Sequence, residues 1–131
     1  MMPYRIAGAT FAGLAVAGML ASAAIAHHGW NWAEEEQTEM EGTIREVYIG
    51  PPHPALQVEG ADGQMWTVEL GNPRQTAAAG FVEGVSAPGD PILVLGHRSL
   101  DATEIRIKAV RITIDGEDQY DIYPNLIEHD Q

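Results

Sequence analysis

Three features of this 131-residue sequence predict an all-β fold with one short helix, a small OB-type Greek-key barrel of five to six strands. Apolar residues alternate with period two over short stretches, as expected of half-buried strands. Turn clusters rich in Gly, Pro and Asp separate those stretches every 8–12 residues or so. One helical signal, beginning at Asn72-Pro73, stands after the third stretch, where such a barrel carries its helix. The runner-up on this evidence is another small β-barrel or sandwich.

The chain opens on a leader. Met1 to Arg5 is a short cationic start, and residues 6–26 carry no charge. As a helix these 21 positions would span about 31 Å, close to a bilayer core. Gly8, Gly13 and Gly18 dilute the apolar run, and Ala24-Ile25-Ala26 has the small-x-small form of a leader-peptidase site. The expectation is a signal helix over 1–26 and export to the periplasm; the alternative is an uncleaved anchor facing the periplasm from the inner membrane.

Residues 27–39 form a polar arm with Trp30, Trp32 and three consecutive acids, Glu34, Glu35 and Glu36. The barrel is expected over 40–124. Met40, Gly42 and Ile44 share one parity and Val47 and Ile49 the other, so the first strand slips phase near Arg45-Glu46, the mark of a bulge. Gly50-Pro51-Pro52-His53-Pro54 ends it, because prolines cannot serve in a ladder. Leu56 and Val58 make a second strand, residues 60–63 a hairpin turn, and Trp66, Val68 and Leu70 a third strand. Asn72 as N-cap and Pro73 at the first helical position start a helix that Gly80 stops.

Pro88-Gly89-Asp90 turns into residues 92–95, an unbroken apolar run that predicts a fourth strand covered on both faces, with His97 following it. Residues 105–114 read as the longest strand, slipping phase at Ala109, and residues 120–123 as a closing edge strand stopped by Pro124. Residues 125–131 are a polar tail.

Composition narrows the function. No cysteine is present, which removes disulfides, thiolate metal sites and thiol nucleophiles. Lys and Arg number 7 against 19 Asp and Glu, a formal charge of −12. Such a surface repels phosphate backbones, so nucleic acid is not an expected partner, and neither is the membrane surface unless the leader is retained. Cations and basic protein patches suit it better. Motifs for a nucleophilic serine, a phosphate loop, a zincin helix or a dinucleotide are missing, so no enzymatic activity and no catalytic residue is expected.

What the sequence does offer is nitrogen. Cleavage after Ala26 would make His27 the first residue, placing an α-amine and an imidazole together with His28 alongside. Copper(II) favours such nitrogen sets in a square plane. His53, in the first loop, and His97, after the fourth strand, would join His27 if the arm folds over the barrel rim, and Glu34 to Glu36 would add oxygen. His129, in the tail, is left out of this set. Trp30, Trp32 and Arg98 are the candidate ligand rim. The expected function is an exported binding module taking copper, or a similar transition metal, as its one cofactor. The alternatives are a metal-free module for a peptide, glycan or envelope protein, and a membrane-anchored accessory subunit.

His27-His28-Gly29-Trp30, the 42–47 strand, Pro52-His53, Trp66, Pro88-Gly89-Asp90 and Gly96-His97-Arg98 together resemble a bacterial family of short exported proteins known only as a domain of unknown function. The resemblance covers the mature chain and implies an OB-like barrel in the periplasm, with no activity attached. The family's loop usually reads Asn-Pro-His; here Pro51 stands in place of the Asn.

Overall fold

A computed structural model describes residues 29–127. Its contacts divide the chain into two units, Met1–Trp32 and Ala33–Gln131. The expected signal helix, with His27, His28 and His129, lies outside the described residues.

The second unit is a six-stranded, mostly antiparallel sheet closed on itself. Strands β1 (Thr38–Tyr48), β2 (Ala55–Gly60), β3 (Met65–Glu69), β4 (Pro91–Arg98), β5 (Arg106–Ile114) and β6 (Asp118–Asp121) lie in the order β3-β2-β1-β4-β5-β6. A parallel pairing of β3 with β5, Thr67 to Arg106 and Val68 to Ile107, shuts the first five into a barrel and leaves β6 as an addition. This is the OB arrangement, with helix α1 (Pro73–Ala78) between β3 and β4.

The register gives the barrel its size. One row of neighbours runs from Tyr48 through Ala55, Glu69 and Lys108 to His97. His97 follows Gly96, the partner of Thr38, so the row re-enters the head of β1 at Gln37, eleven residues before Tyr48. One of the eleven is Arg45, skipped between Ile44 and Glu46. Five strands with a shear of about ten make a barrel narrow enough for side chains to fill. Ile44, Leu56, Val58, Val68, Val94, Ile107 and Ile112 fill it, all with no exposed surface.

Where strands cross most tightly, only glycine fits. A Cβ on Gly42 would lie 2.4 Å from the Glu59 carbonyl oxygen, and one on Gly96 would lie 2.3 Å from that of Lys108. The second bulge, which re-phases β5 so that both its halves face inward, falls at Val110, one residue past the expected slip at Ala109.

Asn72 caps α1 as expected, its side-chain oxygen accepting from the Gln75 amide at 2.8 Å. Phe81 then enters the core with no exposed surface and meets Tyr120 edge-on, ring centroids 5.2 Å apart.

Four expectations need correcting. The longest strand is β1, at 11 residues against 9 for β5, because Thr38 and Glu39 already pair with Gly96 and Leu95. The 92–95 run is not covered on both faces. Leu93 and Leu95 point outward and stay half-buried, their neighbours there being Glu41 and Thr113, and Glu39 and Arg111. His97 lies within β4 rather than after it, since pairing continues to Arg98 opposite Ile107. The closing strand is Asp118–Asp121, and the chain then bends at Ile122 to hydrogen-bond the Val110 carbonyl.

Candidate functional site

The residues singled out in sequence fall in different places. Trp30 and Trp32 belong to the N-terminal unit and are half-buried. His53 is exposed in the β1–β2 loop, after a cis bond between Pro51 and Pro52. His97 is buried, with 9% of its surface exposed. His97 stands beside the start of β1, while His53 follows its end. Round the other side of the barrel, Lys108 and Glu69 separate His97 from Ala55, three strand spacings or roughly 14 Å along the sheet. Among the described residues no group of three His, Asp or Glu side chains is arranged to hold a metal ion.

His97 has a different task, which its hydrogen bonds define. Its Nδ1 lies 2.8 Å from the Glu34 carbonyl oxygen, which can only accept, so Nδ1 carries the proton. Its Nε2 lies 3.4 Å from the Gln37 amide nitrogen, which also donates to the Leu126 carbonyl. A neutral ring accepts at Nε2 and donates at Nδ1, which suits both partners. The ring therefore fastens the arm to β4, beside a main-chain bond from Glu34 to the Arg98 carbonyl at 2.7 Å and a bridge from Ala33 to Ser99. Of the acids proposed as oxygen ligands, Glu34 uses its backbone here, and Glu35 and Glu36 are exposed.

Next to His97 in the same row is a network of charges. Arg106 bridges Glu69 and Glu104, and Ser99 donates to Glu104 at 3.2 Å. Burial works against the charge on Arg106, but hydrogen bonds and attraction from Glu69 and Glu104 outweigh it and hold its pKa above the ordinary value. Lys108 extends over Tyr123, its Nζ 5.8 Å from the ring centre. Burial pulls the Lys108 pKa down against the attraction of Glu69, and burial together with Glu69 pushes the Tyr123 hydroxyl up. This cluster is compensated charge under the last turn of the chain. It organises structure.

The feature sequence reading missed is at the mouth of the barrel, opposite α1. Thr38 to Glu41 of β1, the 60–62 turn, Trp66, Arg98 and Ile107 line an open groove of about 210 Å³. Trp66 is 5% exposed; its indole N–H points at the Asp62 carboxylate, 3.3 Å from the nearer oxygen, and Asp62 also accepts from the Gln64 amide at 2.9 Å. The Arg98 guanidinium covers the indole, 4.9 Å from its centre. Asp62 and Trp66 at the two ends of a hairpin turn were a readable signal. Arg98, 32 residues on, reaches Trp66 only through the β3–β5 closure, which leaves no local trace in sequence.

Comparison with known proteins adds a family and no function. No curated protein matches the chain. A family model matches residues 15–107, a span that takes in His27, His28, His53, Trp66, His97 and Arg98 but ends before Lys108 and Tyr123. Covering well over half of the sequence, that match makes the chain a member of the Family of unknown function (DUF6152).

Proposed function

We propose that this chain is an exported, non-catalytic binding module that captures copper(II), or a similar late transition metal, at a mature N-terminus beginning with His27. The observation that carries the reading is Ala24-Ile25-Ala26 directly ahead of His27-His28. Cleavage there puts the α-amine, the first imidazole and the second imidazole in one short chelating stretch. The described residues support a narrower ligand set than three converging histidines. His97 spends both ring nitrogens on the arm, and His53 stands alone on an exposed loop. All the ligands must be deprotonated, so affinity falls as pH drops below about 6.

The test uses protein recovered from its own export compartment. Intact mass first establishes a start at His27; an unprocessed mass would instead favour residues 6–26 as a retained anchor. Titration with copper(II) is then run on this protein and on a version with one alanine ahead of His27. The added residue is expected to weaken binding at least about tenfold, or ~1.4 kcal/mol. Equal affinity for the two would remove the amine from the site.

The second reading is a metal-free module for an envelope protein. The observation favouring it is the groove at Trp66 and Arg98.

A further inference from the structure

We infer that the mouth of the barrel is a docking groove for a basic peptide segment, seating one lysine or arginine side chain. The inference is independent of copper. It rests on three properties of the groove.

The first is shape. At about 210 Å³ and open to solvent, the groove is smaller than the pockets that enclose small molecules, and it suits one long side chain entering from a larger partner. The second is its floor. Half-buried Met40 and the Trp66 edge give an apolar bed for the methylene stem of a lysine or arginine. The third is charge. Glu39 and Glu41 border it from the outer face of β1, where both are exposed, and among the described residues neither carboxylate is paired with a cation. With Asp62 they set three carboxylates against the single guanidinium of Arg98, in a molecule whose formal charge is −12. An anionic ligand would approach Arg98 against the field of all three. A cationic one is attracted by the rim and by the whole molecule.

Arg98 shows that the Trp66 face accepts a guanidinium. It also competes with any cation that enters, being a like charge in the same groove. This sets the sign of the decisive experiment. Removing Arg98 strengthens the binding of a cation and abolishes that of an anion.

The probe is a blocked hexapeptide carrying two lysines, compared with the same peptide carrying norleucine. Each is titrated into the full chain in the presence of EDTA, with the indole N–H resonance of Trp66 as readout. The lysine peptide is expected to bind, at least about tenfold tighter than the norleucine peptide, and to weaken as salt rises. Replacing both rim acids, Glu39→Gln with Glu41→Gln, is expected to cost about tenfold; both positions are exposed, so the fold is kept. Arg98→Met is expected to tighten binding several-fold. Failure of the lysine peptide to bind at millimolar concentration, equal binding of the two peptides, or indifference to the Glu39 and Glu41 changes overturns the proposal. So does loss of binding in Arg98→Met, which would mean that Arg98 itself holds the ligand.

Discussion

The two ends of the barrel are closed by different means. At one end the chain leaves β3 through Asn72, makes α1 and drops Phe81 into the core. Two of the polar groups there are satisfied by close neighbours in the chain. Asn72 caps the Gln75 amide, and the fully buried Thr76 hydroxyl donates to the Gly71 carbonyl at 3.0 Å. At the other end, among the described residues, no helix lines the opening. Trp66 fills it, and the cover over Trp66 is a single charged side chain, that of Arg98, whose head stays in water. A helix and an aromatic ring make a seal that opens only with the fold. A lysine- or arginine-type side chain makes a cover that can move by changing rotamer, on the timescale of side-chain motion. A binding groove belongs at the second kind of end.

The largest expected effect tests the sealed end. Phe81→Ala removes a fully buried ring that packs edge-on against Tyr120. It should cost about 3–5 kcal/mol in urea or thermal unfolding. A loss near 1 kcal/mol would mean that this end relaxes as easily as the mouth, and the contrast between them would fail.

How far this asymmetry could be read in sequence differs between the ends. Asn72-Pro73 announces the helix because capping chemistry is local: the residues that satisfy the free amides are the helix's own neighbours. The bulge in β1 is legible for a similar reason, since the change of apolar parity after Ile44 occurs within one strand. Gly96-His97-Arg98 misleads because its polar residues end an apolar run, although His97 takes an outward-facing position, Arg98 reaches the mouth over Trp66, and pairing to Lys108 and Ile107 goes on. Of the mouth, Arg98 as a rim residue and the turn from Asp62 to Trp66 were legible, but not their meeting. Its parts come from five strands and one turn, and the parallel β3–β5 pairing that assembles them is a long-range closure with no nearby signature. The same is true of His97. Only the register shows that its ring faces the arm.

The second prediction sharpens the comparison through pH, at the cluster beneath the final turn. Burial, and then Glu69, raise the Tyr123 hydroxyl above its ordinary pKa of 10.0. A group raised on folding adds stability that is complete below the unfolded value and is lost as pH climbs through the folded one. Phenylalanine cannot ionise. The difference in urea midpoint between the parent chain and Tyr123→Phe should therefore be constant from pH 7 to about 9 and move in favour of the phenylalanine above about pH 10. Lys108, whose pKa is lowered, shifts the other way with pH, but it is common to both proteins and drops out of the comparison. A difference that stays flat to pH 11 would show that Tyr123 is not held in a dry, acidic setting.

The smallest expected effect concerns the mouth and is the most informative for function. Arg98 lies on an aromatic face, is itself exposed, and forms no ion pair among the described residues. An exposed cation–π contact is worth about 0.5–1 kcal/mol, and methionine in its place keeps much of the apolar contact with the indole. Arg98→Met should consequently unfold within about 1 kcal/mol of the parent. A cost comparable to that of Phe81→Ala would make Arg98 a structural plug, and the mouth a second sealed end. A small cost leaves the guanidinium as a cover that stability hardly needs, which is the condition for its yielding the Trp66 face to an incoming basic side chain.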